Sequence, residues 1–133
     1  MTARLTTYWI STVLISTAML AGGTAYLCRL DEVVQGVAAL GYPKYFVPML
    51  GACKVFGGLV LLLPRLPRLK EWAYAGIVIN LAAALVSHAA LGDPVAKLIA
   101  PAILLGITGI SWGTRPATRM LPAAMVGSAE LAT

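Results

Sequence analysis

Polar residues fall at wide intervals along this chain, and the stretches between them are apolar for the length of a membrane-crossing helix. The first run covers 8–27, YWISTVLISTAMLAGGTAYL. At ~1.5 Å of rise per residue it is long enough to cross a hydrocarbon core of about 30 Å. A short tail with Arg4 precedes it, as in a signal peptide. The run is long for one, though, and has no small-x-small cleavage pattern followed by polar sequence, so it reads as a retained helix. Its Ser11, Thr12, Ser16 and Thr17 need no special role, because hydroxyls bond back to carbonyls one turn earlier. The second run is 45–63, the third 72–90 and the fourth 96–112.

The connections carry their own signals. After the first run, Asp31 opens a short pattern in which Val33, Val34, Val37 and Leu40 recur at near-helical spacing. This predicts a helix lying in the interface, and Gly41-Tyr42-Pro43 then turns the chain back into the bilayer. Asp31 and Glu32 are either a solvated helix start or groups that close a cavity from that side. The turn PRLPRLKEW, 64–72, has two prolines that stop the helix, and Glu71 after it suits the dipole at the start of the third span. Trp72 and Tyr74 stand where an aromatic belt belongs. Beyond Arg115 no period is sustained, which predicts a loosely ordered tail. The expected fold is thus an all-α membrane protein, a four-transmembrane-helix bundle over 1–115 with a short interfacial helix after the first span, followed by a cytoplasmic tail, 116–133.

Composition supports this class. The chain is 59% hydrophobic and 11% charged, less than half the charged fraction of about 25% usual in soluble domains. The net charge is +5, but the basic residues lie in short loops and tails rather than on one face, so membrane topology explains them better than nucleic acid does. Arg4, Arg65, Arg68, Lys70, Arg115 and Arg119 fall on one side, and Arg29, Lys44 and Lys97 on the other. Both termini are therefore expected to be cytoplasmic.

The candidate chemistry lies in the middle of the second and third runs. Lys54 and Asn80 lie at similar depth if these runs pair antiparallel. A lysine at the bilayer centre costs roughly 2.5–3.5 kcal/mol on insertion scales, so it should face inward and find partners. Leu50, Gly51, Lys54, Gly57, Gly58 and Leu61 share one side of the helix, and the glycines there permit close approach or leave room for a ligand. Two readings stay open for Lys54: a structural amine satisfied by Asn80 and neighbouring carbonyls, or a ligand anchor. On the third span Gly76, Asn80, Ala84 and His88 form a stripe. His88, the single histidine, is either a hydrogen-bonded structural group or one that titrates near the interface, and no metal-ligand spacing accompanies it. Cys28 and Cys53 form no C-x-x-C and differ in depth by roughly 12 Å, beyond the ~7 Å reach of a disulfide. They read as buried small hydrophobes. On the fourth span Ala102, Gly106, Gly109 and Gly113 suggest a packing or dimerisation face.

The chain also resembles the DoxX-like family. The residues that carry the likeness are Leu40-Gly41-Tyr42-Pro43, Gly51 with Lys54 and Gly57, and Leu61-Leu62-Leu63-Pro64-Arg65. The strongest is Leu69-Lys70-Glu71-Trp72-Ala73-Tyr74-Ala75-Gly76, closed by Ser87-His88 and Gly92-Asp93, and the likeness covers roughly 8–113. The resemblance implies a four-helix bundle in the bacterial inner membrane. Family members are associated with quinone-linked sulfur oxidation, oxidative-stress complexes and assembly of other membrane proteins, and no catalytic set carries over. Three expectations follow. Lys54, Asn80 and His88, with Glu71 and Asp31, would bind a lipophilic, quinone-like molecule as part of a redox accessory. Alternatively, the fourth span would serve assembly, with a membrane-protein partner or a second copy. In the third, His88, Glu71 or Asp31 would act as acid or base on a lipophilic substrate, with Lys54 stabilising charge.

Overall fold

A computed structural model describes residues 2–122. It contains helices α1 (Ala3–Leu27), α2 (Asp31–Ala39), α3 (Phe46–Leu62), α4 (Pro67–Ala90) and α5 (Val95–Gly113), with a 3-10 turn at Ala117–Arg119. Among the described residues the architecture is all-helical. The long helices touch in a closed ring, α1 to α3, α3 to α4, α4 to α5 and α5 to α1. Three of them, α1, α4 and α5, are long and apolar enough to cross a membrane, while α3 is a shorter apolar helix of 17 residues. The short α2 fills the place expected for an interfacial helix, with Asp31 and Glu32 in its first turn and Val37 as its buried contact.

The side chains are distributed as lipid requires. Ile10, Leu14, Phe56, Ile79, Val86, Ile103 and Ile110 point outward, while Tyr8, Thr12, Ser16, Thr108 and Ser111 are buried. A water-soluble bundle has the opposite pattern. The inward hydroxyls join helices rather than only bonding back. Thr12 Oγ1 meets Ser111 Oγ at 2.7 Å, and Tyr74 OH meets the same hydroxyl at 2.7 Å, so α1, α4 and α5 share one polar knot.

The tightest contact is between α1 and α3, and glycines make it. A Cβ on Gly23 would stand 2.8 Å from the Gly51 carbonyl oxygen, and one on Gly51 would stand 2.8 Å from Tyr26 Cβ. One on Gly58 would lie 3.1 Å from the Ser16 oxygen. The glycine side expected on α3 is therefore divided: Gly51 and Gly58 face α1, while Gly57 faces Ile77 of α4. Gly106, Gly109 and Gly113 of α5 meet nothing within 4 Å, so they form no packing face inside the bundle.

The end of α3 is held by cations from elsewhere. Pro64 stops the helix, and Arg65 and Leu66 turn with φ of 63° and 58°, a left-handed pair costly for side-chain-bearing residues. Pro67 then starts α4 at its first position, where its missing N–H costs nothing. The freed carbonyls of Val60 and Leu61 accept from Lys70 Nζ at 2.5 and 3.2 Å, and Leu63 accepts from it as well. Arg119 Nη1 donates to Leu61 O at 3.1 Å, Leu63 O at 3.3 Å and Tyr8 OH at 3.2 Å. Lys70 is 0% and Arg119 9% exposed. The loosely ordered tail expected after Arg115 is thus corrected over 116–122, because Arg119 threads back to a helix end whose carbonyls need donors. Residues 123–133 of that tail lie outside the described residues.

These contacts make a contrast that mutation can read. Gly51→Leu should destabilise the bundle by on the order of 1–3 kcal/mol through overpacking, seen as a lowered thermal midpoint in detergent. Gly109→Leu, built into open space, should leave that midpoint unchanged.

Candidate functional site

Between α3 and α4 the ring opens. A hollow of about 390 Å³ is lined by Tyr26, Val37, Leu40, Tyr42, Phe46 and Ser87 among others. A second, of about 220 Å³, is lined by Met19, Phe56, Leu69, Trp72 and Ile77 among others. Leu50, Cys53, Lys54, Gly76 and Asn80 belong to both, so the two hollows meet at the lysine and the asparagine. The rim is lipid-facing: Trp72 is 76% and Ile79 68% exposed. The space exists partly because Gly57 and Gly76 carry no side chain into it, with nothing within 4 Å of a Cβ on Gly76.

Lys54 is half-buried, and its amine stands 4.0 Å from the centroid of the Tyr26 ring. A ring face attracts an ammonium but accepts no conventional hydrogen bond. Among the described residues the amine has no carbonyl, hydroxyl or carboxylate partner. Asn80 is likewise half-buried without a hydrogen-bond partner among the described residues. Sequence reasoning anticipated the lysine and the asparagine but not Tyr26. Its signal was the spacing Gly23-x-x-Tyr26, which puts a ring one turn beyond the glycine contact.

The other candidates stand elsewhere. His88 turns away from the stripe it shares with Gly76, Asn80 and Ala84. Its Nδ1 meets Asp93 Oδ2 at 2.6 Å, and Lys97 Nζ approaches Asp93 Oδ1 at 3.6 Å. This cluster ties the α4–α5 turn, while the neighbouring Ser87 meets Tyr42 OH at 3.4 Å over the large hollow. Glu71 lies toward the opposite end. Its Oε1 accepts from Arg115 Nη1 at 2.5 Å and its Oε2 from Trp112 Nε1 at 3.1 Å. The dipole role expected for Glu71 gives way to this tie, because α4 already begins at Pro67. Asp31 is exposed at the start of α2. The structure therefore brings Lys54 and Asn80 together and leaves His88, Glu71 and Asp31 apart from them. The cysteines are also corrected: both are free and exposed rather than buried, and Cys53 borders both hollows.

With this geometry in hand, comparison with known proteins defines the class. The profile of the DoxX-like family matches residues 10–111. The chain belongs to the DoxX-like family and is a helical membrane protein. No curated protein and no solved structure gives a significant match.

The His88 bond, with help from Lys97, holds the Asp93 carboxyl below its ordinary value of 3.8. A depressed carboxylate pKa stabilises the fold fully above the unfolded value and loses that contribution as pH falls through the folded one. Wild type should therefore lose thermal stability below about pH 3.8 by more than Asp93→Asn does, as followed by unfolding in detergent across pH 2.5–5.

Proposed function

We propose that this DoxX-like protein crosses the bacterial inner membrane four times and holds a lipophilic, quinone-like molecule between α3 and α4. In this reading it serves a membrane redox or oxidative-stress system. Lys54 and Asn80 bind the polar head, and the apolar walls of the two hollows take the rest. The observation that carries this reading is that both side chains, neither of them hydrogen-bonded among the described residues, line the same lipid-rimmed space. A volume of about 390 Å³ falls within the usual 300–1,000 Å³ of small-ligand sites. The redox setting comes from the family resemblance alone.

The fourth crossing is α3, whose 17 residues rise about 25 Å, near the lower limit for a span. The α3–α4 turn, the start of α1, the end of α5 and the six cations expected to be cytoplasmic fall at one end of the ring. That arrangement favours a cytoplasmic location for this end. Lys70, Arg115 and Arg119 also have structural work there.

Native mass spectrometry in mild detergent tests the ligand reading, with decyl-benzoquinone as probe. Wild type should carry it, and folded Lys54→Met should lose at least about tenfold in affinity, the scale of a hydrogen bond to a charged donor. Equal binding by both proteins would remove Lys54 from the site, and no binding by either would remove the quinone-like head group.

A second reading has its own observation. Gly109, one of the open glycines of α5, borders a groove of about 280 Å³ whose other walls include Glu71, Tyr74, Val78 and Trp112. A membrane-protein partner or a second copy pressed against α5 would need such a surface. Gly106→Leu with Gly109→Leu should then abolish cross-linked complexes in native membranes while leaving the monomer folded. Unchanged cross-linking would end this reading.

A further inference from the structure

Four carboxylate side chains fall among the described residues. Asp31 and Glu32 stand exposed on α2, Glu71 is engaged by Arg115, and Asp93 is engaged by His88 and Lys97. None of these carboxylates reaches the Lys54 amine. The other inward cations are fully provided for, Lys70 and Arg119 by carbonyls and Arg115 by Glu71. Among the described residues Lys54 alone combines a half-buried position, an aromatic ring and no acceptor, at the border of an apolar hollow. An ammonium has three donors and no acceptor of its own, and a buried cation is costly until it is paired. Beside it, the Asn80 amide offers two further donors to the same space.

An amine and an amide with donors to spare match the two oxygens of a carboxylate better than a single neutral oxygen. The walls beyond them, Leu50, Phe46, Ile79 and Leu81, are hydrocarbon. A hollow of this size takes one chain rather than the paired chains of a phospholipid. We propose that the head group held here is an anion, and that the ligand class is a single-chain lipophilic carboxylate entering sideways from the bilayer. One oxygen accepts from Lys54 Nζ, the other from the Asn80 amide, and the chain runs along the α3–α4 seam. This rests on the lipophilic-ligand reading above and adds the charge of the head.

The experiment sets hexadecanoate against hexadecanol on the full chain in mild detergent at pH 8, by native mass spectrometry, with decyl-benzoquinone alongside. The two probes share a chain and differ in head charge. Wild type should prefer hexadecanoate by about tenfold or more, the scale of a charge-assisted pair over a neutral one. Lys54→Met should bring the ratio near one, and Lys54→Arg should keep it, which separates lost charge from lost fold. Equal binding of acid and alcohol by wild type, or benzoquinone binding without hexadecanoate, overturns the anionic head and leaves the lipophilic site standing. Failure of all three probes to bind overturns both.

Discussion

The contact on which the rest of this bundle depends is the glycine-to-backbone approach of α1 and α3. Gly23 and Gly51 let the two backbones come together so closely that Cβ atoms there would collide with main-chain oxygen. Without a hydrophobic force to drive helices together in lipid, such contact is a main source of association. It also sets the site. With α1 seated against Gly51, the Tyr26 ring falls under the Lys54 amine, and a Cβ on Gly22 would lie 4.0 Å from that amine. The lysine is thereby fixed toward α1 at its stem and toward the hollow at its head, while α3 and α4 stay apart where Gly57 and Gly76 leave room.

A second constraint follows from the shortness of α3. A helix that ends at Leu62 leaves carbonyls without partners inside an apolar bundle, and each unsatisfied one costs several kcal/mol in lipid. Lys70 and Arg119 meet this need from α4 and from the segment after α5. Their charge also complements the negative end of the helix dipole. The same group of interactions draws in Tyr8 and, through Arg115, Glu71 and Trp112, so that all four ring helices are tied at this end. The polar knot of Thr12, Ser111 and Tyr74 continues the tie inward.

The sequence made some of this legible and hid the rest for physical reasons. Helix extents were readable because lipid demands unbroken apolar runs, and the ends differ from expectation by a few residues. The similar depth of Lys54 and Asn80, which lets both line the same hollows, followed from run length and antiparallel connection alone. The destination of Arg119 was not readable, since nothing local in TRPATRML marks a residue that caps a helix far away in sequence. Nor was the division of the glycines. Spacing shows that small residues share a face, but not whether a neighbour occupies it, so α5 carried the more regular pattern while α1 and α3 made the contact. The cysteines were misjudged because exposure to lipid and burial in protein look alike in an apolar run.

The two inward lysines, compared directly, argue what kind of place the hollow is. Lys70 and Lys54 belong to adjacent helices of one bundle, and both bring an ammonium into apolar surroundings. Lys70 is wrapped by carbonyls that a helix end must expose, so its donors are used and its burial is complete. Lys54 sits at mid-helix, where carbonyls are already taken by the α-helical ladder, and its neighbours are glycine, cysteine, leucine and one tyrosine ring. One lysine receives acceptors from 10 residues away, and among the described residues the other receives none. A purely structural amine at Lys54 would have cost less as methionine, which fills space without needing a partner. Donors without a partner among the described residues, beside a lipid-rimmed hollow, are what support the proposal of a bound ligand there.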